Sequence, residues 1–178
     1  LNTNKIIYIS SSSVYKLNKD GLYSEESELD YDHWYNRIKL HSEEYISSLN
    51  PSFSILRLAY VYGPLMNDLS LIGSMLKRIK KGERAFTLRN KYVGKDFIYI
   101  KDVAQSVYMA SKDKTNTIYN IGSGSSNTIN RFFDLISEIG NLKIKIDSSE
   151  NKITTHKLDI KRANNKLNWY PLVNLAEG

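Results

Sequence analysis

Short β-branched runs alternate with longer stretches of helical periodicity along nearly the whole chain, and this alternation restricts the fold more than any other feature. Lys5 to Ser10 (KIIYIS) is a short apolar run that passes into four serines, Ser10 to Ser13. A run without polar alternation reads as a strand buried on both faces, as in a parallel sheet. Residues 16–32 are polar and acidic, with Gly21, and read as a loop. From about His33 to Leu49 the apolar residues Trp34, Ile38, Tyr45 and Leu49 fall at helical spacing, and Asn50-Pro51 stops the helix. Phe53 to Ala59 is a second buried strand, and Gly63-Pro64 breaks the chain. Leu71 to Lys81 reads as a helix closed by Gly82. Phe97 to Ile100 reads as a short strand, with Asp102 placed to cap a helix from Val103 to Ser111. Thr117 to Ile121 is another strand, and Gly122 to Ser126 its loop. Thr128 then begins a helix that carries Phe132 and Phe133 and ends at Gly140. Lys143 to Ile146 alternates as a strand, and Asp159 to Leu167 is a last short helix. Strands alternating with helices predict an α/β fold built on a mainly parallel sheet.

Composition narrows the functional classes. A chain of 178 residues, 41% hydrophobic and 25% charged, can bury a core and is not expected to be disordered. The absence of cysteine excludes a disulfide framework, a thiolate metal site and a cysteine nucleophile. His33, His41 and His156 lie far apart without a ligand pattern, so no metal site is expected. No apolar run is long enough to span a bilayer, so no membrane association is expected. The start, LNTNKIIYISSSS, has too short an apolar stretch for a signal peptide and reads like the middle of a chain. The net charge of +6 is spread out; its densest runs, 77–84 and 159–166, read as solvated helix faces. Nucleic-acid binding is therefore not expected, while a basic chain suits an anionic ligand such as a nucleotide or sugar diphosphate.

The chemistry gathers at the first strand and helix. Tyr35 and Lys39 are four apart on a helix, so they share one face. An ammonium beside a phenol favours the phenolate, and a phenol tuned in this way exchanges a proton near neutral pH. In a chain with 13 tyrosines a single Tyr-x-x-x-Lys also arises by chance. The serine cluster adds context: it sits at the carboxyl end of a strand, where open α/β sheets bind their ligands.

The order of strand, serine cluster, Val14-Tyr15, acidic loop and Tyr35-x-x-x-Lys39 resembles the extended short-chain dehydrogenase/reductase family, NAD(P)-dependent epimerases, dehydratases and reductases of nucleotide sugars. The resemblance continues through Ile55-Leu56-Arg57 with Val61-Tyr62-Gly63-Pro64, through Lys95 to Ala104 (KDFIYIKDVA), and through Tyr119 to Gly124 followed by Thr128. It ends at Leu167-Asn168-Trp169-Tyr170-Pro171.

That resemblance implies a fold and a site. The fold would be the C-terminal part of a Rossmann-type doubly wound parallel sheet plus a small α/β substrate-binding domain. Residues 1–62 would end the NAD(P)-binding domain. Residues 63–178 would form mainly the substrate-binding domain, intertwined with a returning Rossmann strand and helix. Ser11, Tyr35 and Lys39 would be catalytic. Ser11 would hydrogen-bond the reacting sugar oxygen, Tyr35 would be the general acid/base, and Lys39 would also hold the nicotinamide ribose. Ser10, Leu58 and Tyr60 would join Tyr35 and Lys39 around NAD or NADP. Ser11, Ser12, Tyr60 and Lys95 would contact a nucleotide-sugar substrate. The implied activity is epimerisation or 4-ketoreduction in a cytoplasmic homodimer serving surface-polysaccharide precursors.

Departures from the family pattern qualify this reading. Ser12 and Ser13 stand where 4,6-dehydratases carry Asp-Glu, which demotes dehydration. Tyr60 replaces an asparagine, Trp34 a proline, and Lys95 an arginine, exchanging a bidentate cation for a point charge. No glycine-rich dinucleotide turn occurs anywhere in the chain. The first βαβαβ half, on the order of a hundred residues, is therefore missing from this sequence. The alternative expectation is a truncated, non-catalytic fragment with at most weak sugar-nucleotide binding.

Overall fold

In the computed structural model, which describes residues 4–49 and 51–178, the chain begins with strand β1 (Lys5–Ser11) and a single 3-10 turn (Ser12–Val14). Then come β2 (Leu22–Tyr23), α1 (Trp34–Ser47), β3 (Ser52–Leu58), β4 (Tyr60–Tyr62) and α2 (Leu71–Lys80). Next are β5 (Ala85–Asn90), β6 (Gly94–Lys95), β7 (Phe97–Tyr99), α3 (Ile100–Lys112) and β8 (Thr117–Ile121). The chain finishes with β9 (Asn127–Thr128), α4 (Ile129–Gly140), β10 (Lys145–Glu150), β11 (Lys157–Leu158) and α5 (Lys161–Leu167).

The central sheet has the order β1-β3-β8, all parallel. Its register places Ser11 beside Leu58 and Leu58 beside Ile121, so the three carboxyl ends share one edge. β3 is central, which explains its apolar sequence: Phe53 to Arg57 are all buried. Side chains alternate between faces along a strand. Leu56 joins a core with Tyr119, Val103, Ala110 and Trp169, while its neighbour Arg57 meets Glu43 of α1 on the opposite face. Helices thus cover both faces, as a doubly wound sheet requires. A second core, around Met75, Phe97, Phe132, Phe133 and Ile146, joins α2 and α4 to the parallel pair β5-β10.

Several expectations are corrected here. β1 was expected to be buried on both faces, yet Ile6, Ile7 and Tyr8 are half-buried and Ile9 is 40% exposed. The reason is that β1 pairs with β3 on one side and, among the described residues, with no strand on the other. The α1 periodicity marks the helix but not the face it buries. The helix buries Asn36, Leu40 and Glu43, while Trp34, Ile38 and Tyr45 are exposed, because the partner across the sheet is a charged residue, Arg57. Asp102 does not cap α3. β7 runs straight into the helix, so the cap position falls on Tyr99. Asp102 lies inside the first turn, buried, where its carboxylate accepts from Val173 N at 3.0 Å. Thr128 is the α4 cap as expected, its hydroxyl accepting from Arg131 N. β5 is absent from the sequence reading, and its partner begins two residues later than expected; this two-stranded ribbon buries only Phe86 and Ile146 fully. The expected stop at Asn50 lies outside the described residues.

Candidate active site

The site is assembled at the carboxyl edge of β1 and β3. Ser11 ends β1 and starts the 3-10 turn, where its hydroxyl accepts from Ser13 N at 3.2 Å. Its Oγ is also 3.0 Å from Ser13 Oγ, and Ser13 donates to Asn36 Oδ1 at 2.9 Å. Asn36 is the residue after Tyr35 and is anchored in turn on Asp30 at 2.9 Å. A hydrogen-bond chain therefore ties the serine turn to the first turn of α1.

Tyr35 and Lys39 project from successive turns of α1. Tyr35 is 38% exposed. Lys39 donates to the Ile9 carbonyl at 2.9 Å, near the end of β1. Its ammonium is 5.0 Å from the Tyr8 ring centroid and 5.9 Å from that of Tyr35. The Ser11, Tyr35 and Lys39 side chains thus border the same end of β1.

Beneath them lies a buried strut absent from the sequence reading. Glu43, one turn beyond Lys39, accepts from Arg57 Nη2 at 2.6 Å and Nε at 3.1 Å, and from Ser10 Oγ at 2.5 Å. Both charged side chains are almost fully buried. Burial opposes the Arg57 charge, but its hydrogen bonds to Glu43 and the neighbouring Tyr15 outweigh this and raise its pKa. Tyr15 donates to Asn120 at 2.6 Å, and burial pushes its pKa up to about 12. The Ser10 side chain is therefore committed to the helix, not to the open cleft. The signal for this strut was a lone Arg inside an apolar strand, which demands a buried acid.

Two cavities meet beside the serines. One, of about 130 Å³, is lined by Ser11, Ser12, Ser13, Tyr60, Lys95 and His156 among others. The other, of about 390 Å³, is more apolar and lies against β4, residues 63–67, Ser70 and Ile100. They share Ala59 and Tyr60. The structure thus brings together Ser11, Ser12, Tyr60 and Lys95. Leu58 borders neither cavity and packs instead against the first core.

Lys95 makes no ion pair among the described residues, and burial lowers its pKa. An unpaired, half-buried ammonium at a cavity wall is suited to an anionic group. The next residue, Asp96, organises the wall. Its buried carboxylate accepts from Ser123 N and Oγ, Gly124 N and Leu158 N. Burial raises the Asp96 pKa against these hydrogen bonds. Gly122 is required here, because a Cβ at that position would come within 2.7 Å of Asp96 Oδ2.

A parallel sheet with helices on both faces is a Rossmann-type α/β fold, and its carboxyl edge carries a serine, a tyrosine and a lysine as the resemblance to the extended short-chain dehydrogenase/reductase class leads one to expect. The profile of the NAD dependent epimerase/dehydratase family matches residues 1–122, and the chain belongs to that family. A Methanocaldococcus jannaschii protein provisionally named UDP-glucose 4-epimerase is 32% identical over 81% of this chain and 50% of its own length. The dTDP-4-dehydro-6-deoxyglucose reductase of Escherichia coli is 30% identical over 98% of this chain and 58% of its own. The solved UDP-N-acetylglucosamine 4-epimerase of Methanobrevibacter ruminantium, in complex with UDP-N-acetylmuramic acid, superposes with a TM-score of 0.85 at 26% identity. That match covers 99% of this chain and 62% of the solved one. The chain therefore spans about half to three-fifths of the length of these relatives.

Proposed function

We propose that this chain is the catalytic segment of an NAD- or NADP-dependent enzyme that epimerises or 4-ketoreduces a nucleotide-diphosphate sugar. The observation that carries the reading is the placement of Ser11, Tyr35 and Lys39 around one strand end beside a cavity holding an unpaired lysine. The cofactor's nicotinamide supplies hydride exchange with the sugar carbon when bound. The Tyr35 hydroxyl and the Lys39 ammonium suit its ribose, with Tyr60 bordering that end; of Ser10 and Leu58, whose side chains turn to Glu43 and the first core, only the backbone is left for the cofactor. No residue of this chain is assigned to the pyrophosphate, whose glycine-rich cradle the sequence lacks.

In this reading Ser11 Oγ donates to the reacting sugar oxygen and Tyr35 gives or takes its proton. Lys39 stabilises the phenolate charge as the proton leaves. Ser12 and Tyr60 line the sugar, and Lys95 meets its anionic group. Residues 1–62 close the cofactor-binding domain and 63–178 form mainly the substrate domain. The exposed stripe of Trp34, Ile38 and Tyr45 on α1 supports a homodimer through that helix. Among the described residues no helix is long and apolar enough to cross a membrane; the proposed setting is the cytoplasm, with no nucleic-acid partner. A second reading, favoured for the isolated chain by the missing glycine-rich turn, is a non-catalytic piece with weak sugar-nucleotide binding.

The test uses a polypeptide carrying both this segment and a glycine-rich half, incubated with nucleotide sugars and followed by product NMR. Net consumption of NADPH marks a reductase, and turnover without net cofactor change marks an epimerase. Tyr35→Phe is expected to lower kcat by about 10²–10⁴-fold. Near-full turnover in that variant would refute the proton-transfer role.

A further inference from the structure

Asn36 follows the exposed Trp34 and Tyr35 on α1, yet it is itself only 3% exposed. Its amide is spent on two groups of the protein. Nδ2 donates to Asp30 Oδ2 at 2.9 Å, and Oδ1 accepts from Ser13 Oγ at 2.9 Å. Asp30 is fixed in turn to the serine segment, its N–H donating to Val14 O at 2.8 Å. The other Asp30 carboxylate oxygen accepts from Asp32 N at 2.9 Å. That bond above all holds the Asp30 carboxyl below the usual carboxylate range, and the bond from Asn36 adds to it. Near pH 7 Asp30 is therefore ionised and can only accept.

These contacts give the chain a direction. An accepting Asp30 draws the Asn36 NH2 to itself and leaves the Asn36 carbonyl facing Ser13. A serine hydroxyl has one proton, and that of Ser13 is committed to this carbonyl. In the 3.0 Å contact between the two serine hydroxyls, Ser13 then accepts and Ser11 donates. Ser11 Oγ also accepts from Ser13 N at 3.2 Å, which fixes its position. The Ser11 proton is thus the free end of the chain. It can turn to a substrate oxygen while every other bond stays made.

We propose that Asn36, anchored on Asp30, is a positioning residue that acts through Ser13 to keep the Ser11 hydroxyl a proton donor to the reacting sugar oxygen. This rests on the nucleotide-sugar reading above and adds to it two residues set behind the serine.

The kinetic test uses the polypeptide that carries this segment and a glycine-rich half, with a nucleotide sugar it turns over. Asn36→Asp sets a carboxylate against Asp30. It is expected to lower kcat about tenfold with KM nearly unchanged, as for loss of one oriented hydrogen bond in the transition state. Adding Asp30→Asn exchanges amide and carboxylate: the acid at position 36 still accepts from Ser13, and the amide at position 30 donates to it. This double variant is expected to recover most of kcat. An independent readout is the Asn36 side-chain ¹H–¹⁵N signal of the 178-residue chain, expected to move with Ser13→Ala as well as with Asp30→Asn. The inference fails if Asn36→Asp keeps its kcat, if the double variant recovers the melting temperature but not kcat, or if the amide signal ignores Ser13→Ala. In each case the nucleotide-sugar reading stands. If the wild-type polypeptide turns over no nucleotide sugar, both fail together.

Discussion

Removing the carboxylate of Glu43 is the sharpest perturbation the structure offers. Glu43 and Arg57 have side chains only 5% and 3% exposed, and bond at 2.6 Å. Without Glu43, the guanidinium keeps Tyr15 OH at 3.2 Å and the Glu25 carbonyl at 3.3 Å, neither of them an anion. Breaking a buried pair by deleting one partner costs about 3–5 kcal/mol, because the other charge stays buried and uncompensated. For a chain of this size each kcal/mol moves Tm by about 2–4 °C, so Glu43→Ala is expected to melt roughly 10 °C early or more. Burial also shields the pair from salt, so the cost is expected to be nearly the same in dilute and roughly 1 M sodium chloride. The double variant Glu43→Leu with Arg57→Met replaces the charges by apolar groups and is expected to recover most of the loss. Urea unfolding followed by circular dichroism, on both single variants and the double, gives the coupling energy directly. A Glu43→Ala cost below about 1 kcal/mol, or a double variant equal to the sum of the singles, would refute the argument that this strut holds α1 on the sheet.

Other outcomes follow from the same geometry. His156 has a folded pKa of about 4 against 6.5 ordinarily, so the unfolded chain binds its proton first as pH falls. Stability is then lost between about pH 6.5 and 4, by roughly 2–3 kcal/mol for this group, and His156→Gln is expected to flatten that part of a urea-midpoint profile against pH. Ser54 Oγ is buried with no hydrogen-bond partner, so Ser54→Ala is expected to raise stability by about 1 kcal/mol in the same assay. Gly122→Ala drives a Cβ against the Asp96 carboxylate and is expected to cost about 2 kcal/mol or more. Proteolysis is expected to speed up at residues 122–126 in that variant; unchanged cleavage there would count against Asp96 as the organiser of that loop.

The local signals in the chain were strongest where a single element answers to its own residues. β3 and β8, the Thr128 cap and the end of α4 at Gly140 came directly from apolar runs, a hydroxyl at a helix start and a glycine near its close. Ser11 and Lys95 came from resemblance to a family's motifs, whereas the shared face of Tyr35 and Lys39 follows from helical spacing. The misreadings share a different cause. The spacing of Trp34, Ile38 and Tyr45 marked α1 as a helix, yet which face it buries depends on Arg57, which lies 14 residues beyond Glu43 in the chain. Asp102 read as a cap because a strand running straight into a helix leaves no mark in composition.

By itself, then, the sequence determined the fold class and the family, and it marked Ser11, Tyr35 and Lys39 as the proposed triad. Periodicity and short motifs are local, and a strand, a capped helix or a Tyr-x-x-x-Lys face needs no distant partner to be recognised. Only the tertiary structure decided which helix face is buried and that Ser10 bonds to Glu43. It also decided that Asp96 gathers the 122–124 loop and that His156 stands in the serine cavity. Each of these depends on charges and donors brought together across the sheet from residues far apart in the chain. A lone histidine has no sequence pattern that says what it will face, and its neutrality comes from burial and from Lys95, 61 positions earlier.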